Sequence, residues 1–310
     1  MLKVENFSVS FSYNSSQLSK KQVSAITSLD IEVKAGEIMA VVGQSGAGKS
    51  LLAHAILGIL PRNAHTAGKI YFKGRSLTAQ RIKKIRGKEI ALIPQSINYL
   101  NPLLKVGTQV ARAARLSGLK NRDEAKQAAH SALARYLLDD SVAKYYPFQL
   151  SGGMARRILT ATATVGMADL LLADEPTNGL DALAAEEALG HLRELADTGK
   201  AVLLITHDIE SVLKITDRVS VFYDGITLEV ANTSDFTGKL CLRHPYTTAL
   251  WAALPTNSFT SPPSQATTPS NGKTGGCPYH LHCAKHGPDC ADELPRMQEL
   301  RDGLVRCHNA

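Results

Sequence analysis

The chain has 310 residues, 44% of them apolar, with a net charge of +7 and a mean hydropathy of -0.09. That is enough for one large domain or two small ones with a sizeable core, and the composition suits a water-soluble globular protein. No apolar run reaches the length of a bilayer span; "LLAHAILGIL" at 51–60 is too short and reads as a buried helix segment.

The first residues, "MLKVENFSVSFSYN", lack the basic-then-apolar plan of a signal peptide, so the cytoplasm is the expected compartment. Two strand-like runs, "LKVENFSVSF" and "SAITSLDIEV", precede a third, "EIMAVVG". "SLLAHAILGIL" then predicts a helix closed by Pro61, and "GKIYFKG" a short strand. The densest basic run, "RIKKIRGK" at 81–88, holds no aromatic residue for stacking bases, and no nucleic-acid partner is expected. "EIALIPQ" reads as a buried strand stopped by Pro94, and residues 108–165 are mostly helical in pattern. "LLLADEP" is an apolar strand with acids at its end; a helix is predicted over about 181–197, and "AVLLITHD" and "RVSVFYDG" are further strands. Alternating strands and helices predict an α/β fold around a parallel sheet, with a helical insert. Residues 256–276 are rich in Ser, Thr, Pro and Gly and read as a linker.

Three stretches carry chemistry. "GQSGAGKS" at 43–50 matches G-x-x-x-x-G-K-[ST] between a predicted strand and a predicted helix. Gly43, Gly46 and Gly48 let backbone wrap phosphates, Lys49 supplies a cation to the outer phosphates, and the Ser50 hydroxyl suits Mg²⁺. In "LLLADEP", Asp174 suits the Mg²⁺–water shell, while Glu175, expected to point the other way along the strand, suits polarisation of an attacking water. Helix N-cap chemistry is the alternative reading of that acid pair, and the accompanying motifs disfavour it. Gln95 is placed to sense Mg²⁺ and water, and His207 at a strand end to orient a γ-phosphate oxygen; each alone reads equally as a structural residue. "LSGGM" at 150–154 predicts a second anion site, with Ser151 as N-cap and the N–H groups of Gly152 and Gly153 uncovered.

These motifs, in this order and with "GLD" at 179–181, resemble the nucleotide-binding subunit of ABC transporters over roughly residues 1–235. The resemblance implies a P-loop NTPase fold of the ABC type, ATP and Mg²⁺ as ligands, and ATP hydrolysis. It implies nucleotide contacts from Gly43, Gln44, Ser45, Gly46, Ala47, Gly48, Lys49, Ser50 and Leu51, with Gln95 and Asp174 at the Mg²⁺. Glu175, His207 and Gln95 would be catalytic, and Tyr13 would stack on adenine, with Phe11 as the neighbouring candidate. It also explains the two anion sites. Two such subunits pair head to tail, and the Ser151 helix of one, with Asp181 beside it, meets the ATP held by the other.

"GILPRNAHTAGKI", "YPFQLSGGM" and "HPYTTALWAALP" resemble, more narrowly, the oligopeptide, dipeptide and nickel importer ATPases. Met154, where Gln is usual, resembles the first of their two ATPase subunit types. The partners so implied are a second, homologous ATPase, two transmembrane permeases and an extracytoplasmic solute-binding protein, with the chain on the cytoplasmic membrane face. Peptide is the expected cargo, nickel or a metal chelate the alternative. Arg156 and Arg157 depart from the family's usual Gln-then-Arg, as do Asn178 and Gly179 before "LD".

The expected organisation is a nucleotide-binding domain over 1–235 with a helical subdomain at about 96–165. A docking segment at 236–255, the linker, and a cysteine-rich extension at 277–310 follow. Cys277, Cys283, Cys290 and Cys307 are spaced C-x5-C-x6-C-x16-C, and Cys241 stands apart. Disulfides are rare in a reducing compartment, and zinc knuckles usually have two to four residues between the first pair. The wider loops favour a [4Fe–4S] cluster over Zn²⁺ or free thiols, with His280, His282, His286 and His308 as alternative ligands.

Overall fold

The computed structural model describes residues 1–14, 20–44, 46–119, 121–237, 242–254, 256–257 and 275–310. Ser45, Cys241 and most of the expected linker lie outside the described residues. Five parallel strands form the centre, in the order Ile90–Ile93, Leu170–Asp174, Ala201–Ile205, Ile38–Gly43 and Arg218–Tyr223. The strands "IMAVVG", "LLLAD" and "AVLLI" are buried throughout, as continuous apolar runs covered on both faces should be. The edge beyond Arg218–Tyr223 turns antiparallel through Ile226–Asn232, joined by Asp224 and Gly225. Both of those residues have positive φ, the backbone of a type I′ hairpin turn. A second, antiparallel sheet of Leu2–Asn14, Lys20–Val33, Ala64–Phe72 and Arg75–Ser76 meets this edge through Ser28 and Ile226.

The helix after the phosphate loop spans Lys49–Ile56 and ends earlier than Pro61. Gly58 stops it: its φ is +61, its N–H donates to the Ala55 carbonyl, and the Ile59 N–H donates to that of His54. That paired closure is the Schellman arrangement, for which glycine is suited.

Helices Val106–Leu116, Arg122–Arg135 and Gly152–Thr164 build a separate apolar cluster around Val110, Leu133, Tyr136 and Ile158. The cysteine segment folds back onto the main domain. Its hairpin, Gln298–Leu300 and Gly303–Val305, adds to the sheet edge with Glu229 opposite Val305. Cys277 and Tyr279 are buried in the same apolar cluster as Val42, Leu204 and Val221.

Two buried arginines fasten this segment. The Arg243 guanidinium, fully buried, contacts Asp235 at 2.8 Å and Glu229 at 3.3 Å, and donates to the carbonyls of Leu300 and Arg301. Arg306 contacts Asp30 at 2.7 Å and donates to the Thr227 carbonyl. Burial works against the charge on Arg243, but its hydrogen bonds to Asp235 and Glu229 outweigh it, so the pKa is raised.

Candidate functional site

The phosphate loop runs from the end of strand Ile38–Gly43 to the helix beginning at Lys49. Gly43 has φ +153, and a Cβ there would stand 1.9 Å from the Phe222 carbonyl oxygen. Gly48 has φ +91, and its Cβ would stand 2.8 Å from the Ala25 carbonyl oxygen. These glycines are fixed by the walls around them, whereas a Cβ at Gly46 would meet nothing within 4 Å. Lys49 folds back, its Nζ donating to the carbonyls of Gly43 (2.7 Å) and Gln44 (2.8 Å). Burial lowers its pKa, and the nearby Glu175 and Asp174 work the other way.

Ser50 and Asp174, 124 positions apart in sequence, meet: the Ser50 hydroxyl donates to Oδ1 of Asp174 at 3.1 Å. A hydroxyl and a carboxylate are hard oxygen donors of the kind Mg²⁺ takes, so the pair fits that ion. Burial raises the Asp174 pKa, against the Ser50 hydrogen bond. A cation would relieve a carboxylate so placed.

Glu175 departs from the expectation that it continues the strand. The strand ends at Asp174, and Glu175 takes φ +48 while its N–H still donates to the Ile205 carbonyl. This left-handed backbone costs of order 1–2 kcal/mol for a non-glycine residue. It is held by His207, whose Nδ1 lies 2.9 Å from Oε1, and by the Thr206 hydroxyl, 3.3 Å from Oε2. Thr206 carries no motif signal in the sequence.

Gln95 is exposed, and the Arg156 side chain donates to its carbonyl and to that of Pro94. Arg156 lies in the helix that starts at Ser151, so the departure from the family pattern ties that helix to the Gln95 loop. Ser151 is the N-cap, its Oγ accepting from the Met154 N–H at 3.2 Å. Ser151 and Gly152 are exposed. Asp181 caps the next helix, accepting from the Ala184 N–H at 2.9 Å. A Cβ on Gly153 would stand 3.6 Å from the Gly179 carbonyl oxygen, so the two helix starts are neighbours. Tyr13 is 46% exposed at the end of its strand, whereas Phe11 packs against the core.

Cys277, Cys290 and Cys307 are buried and Cys283 is partly so; none of the four is in a disulfide. Burial raises the thiol pKa of Cys277, to about 11, and those of Cys283 and Cys307, with neighbouring cysteines adding to the effect. The backbone at Tyr279, Lys285 and Asn309 works against that rise at Cys277, Cys283 and Cys307, and the Gly287 N–H donates to the Cys290 sulfur at 3.4 Å. Among the described residues, no three His, Cys, Asp or Glu side chains form a group that could hold a metal ion.

Among the described residues no helix is long and apolar enough to cross a membrane. The family described as ABC transporter matches residues 26–178. A probable peptide ABC transporter ATP-binding protein of Sinorhizobium fredii is 33% identical, covering 90% of this chain and 87% of the relative. The dipeptide transport ATP-binding protein DppD of Bacillus subtilis is 33% identical, covering 99% and 94%. The oligopeptide transport ATP-binding protein OppD of Escherichia coli is 32% identical, covering 92% and 87%. Among solved structures, the dimeric ATP-binding cassette MJ0796 bound to ADP and phosphate is 27% identical. Its TM-score is 0.66, over 75% of this chain and 99% of that one. With a phosphate loop, an acid-ended strand and this span of similarity, the chain belongs to the ABC transporter ATP-binding proteins, the ATP-hydrolysing subunits of these transporters.

Proposed function

We propose that this chain drives a peptide importer by hydrolysing ATP at the site built from Lys49, Ser50, Asp174 and Glu175. The observation that carries the hydrolytic part is the meeting of Ser50 with Asp174 beside Glu175. The relatives' names, over nine-tenths of the chain or more, carry the cargo.

In this reading Lys49 leaves the carbonyls of Gly43 and Gln44 and takes the outer phosphates, while residues 43–51 wrap them. Ser50 and Asp174 hold Mg²⁺, which neutralises phosphate charge; Gln95 is the further ligand. Glu175 accepts the proton of the attacking water. With Nδ1–H given to Glu175, a neutral His207 has only a bare Nε2 to offer. To donate to a γ-phosphate oxygen it must leave Glu175 or carry two protons. Tyr13, exposed at the strand end, supplies the adenine stack.

The exposed start of the Ser151 helix faces the ATP of a second, homologous ATPase. Its flanks support this: Phe148 is 76% and Leu183 63% exposed, apolar surface that a partner would cover. Ile97, Tyr99 and Leu103, all exposed beside Gln95, are the proposed contact with the permeases, through which the solute-binding protein delivers cargo. The domain limits at 235, 255 and 276 are proposed from the extent of the family resemblance and the Ser-, Thr-, Pro- and Gly-rich run at 256–276, with the chain on the cytoplasmic membrane face.

At the C-terminus we propose a [4Fe–4S] cluster on Cys277, Cys283, Cys290 and Cys307. Four cysteines in one segment, three buried and one partly buried and none in a disulfide, with the Gly287 N–H donating to the Cys290 sulfur at 3.4 Å, support it. The cluster would cross-link four loops that contain little apolar core of their own. Purification without oxygen should give iron and acid-labile sulfide that each Cys→Ser change removes, with Cys241→Ser as control. Stoichiometric zinc without sulfide overturns the assignment.

The import reading is tested by reconstituting the chain with its partner ATPase, permeases and binding protein. ATP hydrolysis should rise with added di- or oligopeptide. Stimulation by nickel chelates and not by peptide overturns the cargo.

A further inference from the structure

Tyr246, in the helix Pro245–Ala252, is 6% exposed, and its hydroxyl is buried without a hydrogen-bond partner among the described residues. A buried polar group left unpaired is costly, and such a group calls for an explanation. Gly43 stands against the Phe222 carbonyl, and the ring of the next residue, Tyr223, is 4.4 Å from that of Tyr246, which brings Tyr246 beside the Gly43–Gln44 peptide; the Gln44 backbone opposes the rise that burial imposes on the Tyr246 pKa. The Gln44 N–H and the Tyr246 hydroxyl nonetheless do not meet in a hydrogen bond in this conformation.

That N–H belongs to the peptide unit joining Gly43 to Gln44. A peptide unit is planar, with C=O and N–H pointing to opposite sides. The C=O of this one is the Gly43 carbonyl that holds the Lys49 ammonium at 2.7 Å. Gly43 itself is backed by the Phe222 carbonyl. The plane therefore has Lys49 on one side and Tyr246 on the other.

Tyr246 is in turn held by aromatic rings. Its centroid is 4.4 Å from that of Tyr223, the residue after Phe222, and 5.3 Å from that of Tyr279. Tyr223 and Tyr279 are 5.8 Å apart, so the three rings contact one another. Tyr279 follows Cys277 by two residues, and both are buried in one apolar cluster. The Tyr246 N–H donates to Nδ1 of His244, whose Nε2 lies 3.8 Å from that sulfur.

We propose that Tyr246 is a positioning residue for the phosphate loop, its hydroxyl fixing the Gly43–Gln44 peptide and so Lys49, and that the cysteine segment fixes Tyr246 through Tyr279. The proposal rests on the ATP site described above. When nucleotide draws Lys49 away from Gly43, the peptide unit loses its partner on one side. The Tyr246 hydroxyl, unpaired until then, accepts from the Gln44 N–H and keeps the plane from turning. The cysteine segment is then part of the nucleotide site's support.

The test uses the full chain with Tyr246→Phe, Tyr279→Leu and the double variant. ATP and ADP affinity, melting temperature and amide exchange at Gln44 are measured in each. Tyr246→Phe removes only an unpaired hydroxyl, so its melting temperature without nucleotide should equal or exceed that of wild type. Its ATP affinity should nonetheless fall about 3- to 10-fold, the size of one neutral hydrogen bond. The Gln44 amide should exchange faster in the bound state. Tyr279→Leu should weaken ATP binding similarly, and the double variant should be no weaker than the worse single one. ATP affinity of Tyr246→Phe within twofold of wild type overturns the proposal, as does full additivity of the two changes. A wild-type chain that binds no ATP would instead overturn the site reading on which the proposal rests.

Discussion

Replacing Glu229 should release the cysteine segment from the domain. Glu229 is fully buried in the strand Ile226–Asn232 and does three things at once. Its Oε1 accepts from the Arg243 N–H at 2.8 Å and from the Arg243 guanidinium at 3.3 Å, and its Oε2 accepts from the His244 N–H at 2.8 Å. Glu229→Ala leaves two buried N–H groups unpaired and leaves Asp235 as the one carboxylate in contact with Arg243. Removing one partner of a buried ion pair costs about 3–5 kcal/mol. Glu229→Gln keeps the shape and one acceptor but turns an amide NH₂ toward an N–H, and should cost about 1–3 kcal/mol. Because Arg243 also holds the carbonyls of Leu300 and Arg301, the loss falls on the terminal hairpin first. Urea unfolding should rank wild type above Gln above Ala, and limited proteolysis should cut residues 275–310 from the Ala variant before the rest. A loss under about 1 kcal/mol in Glu229→Ala, with the segment as protease-resistant as in wild type, refutes this reasoning.

Asp174→Asn should stabilise the nucleotide-free chain at neutral pH while abolishing Mg²⁺-dependent ATP binding. Burial raises the Asp174 pKa, so its charge costs stability above the folded pKa, and that cost disappears as pH falls through it. The melting-temperature gain of Asp174→Asn should therefore shrink in acid; a gain that grows in acid contradicts the assignment. Gly43→Ala should destabilise the chain and remove ATP binding, because its Cβ meets the Phe222 carbonyl at 1.9 Å. Gly46→Ala, with open space and φ +83, should cost only the ~1–2 kcal/mol of its backbone conformation, and equal melting losses for the two would be wrong. Dilute isolated chain should hydrolyse ATP slowly and speed up on adding the second ATPase; a full rate without it contradicts the two-half-site account.

The central strands were readable because each is a short apolar run bounded by turn residues, and "GQSGAGKS" and "LLLADEP" placed their chemistry at strand ends. The strand "ITLEVAN" was not read, and Glu229 is the reason. A charge in mid-run breaks the apolar signal, and its partner Arg243 lies 14 positions on. The final hairpin did carry a local signal in "LRDGLV". Arg301 and Asp302 both take positive φ, as a type I′ turn requires. Nothing local foretells the Tyr246 approach to Gln44, since it depends on where the helix Pro245–Ala252 settles against the sheet. The left-handed backbone at Glu175 was equally hidden, because it is imposed by hydrogen bonds from the neighbouring strand end at Ile205, Thr206 and His207.

The account turns on Glu175 as the group that activates water, and one comparison tests it most directly. Phosphate release by the reconstituted transporter, with peptide present, is measured for wild type and for Glu175→Gln. Gln keeps an acceptor for the Thr206 hydroxyl but cannot take a proton from water. The variant should bind ATP as tightly as wild type and turn it over about 10²- to 10⁴-fold more slowly, the usual contribution of a general base. Turnover within tenfold of wild type would contradict the assignment of Glu175 and, with it, the hydrolytic mechanism proposed for this site.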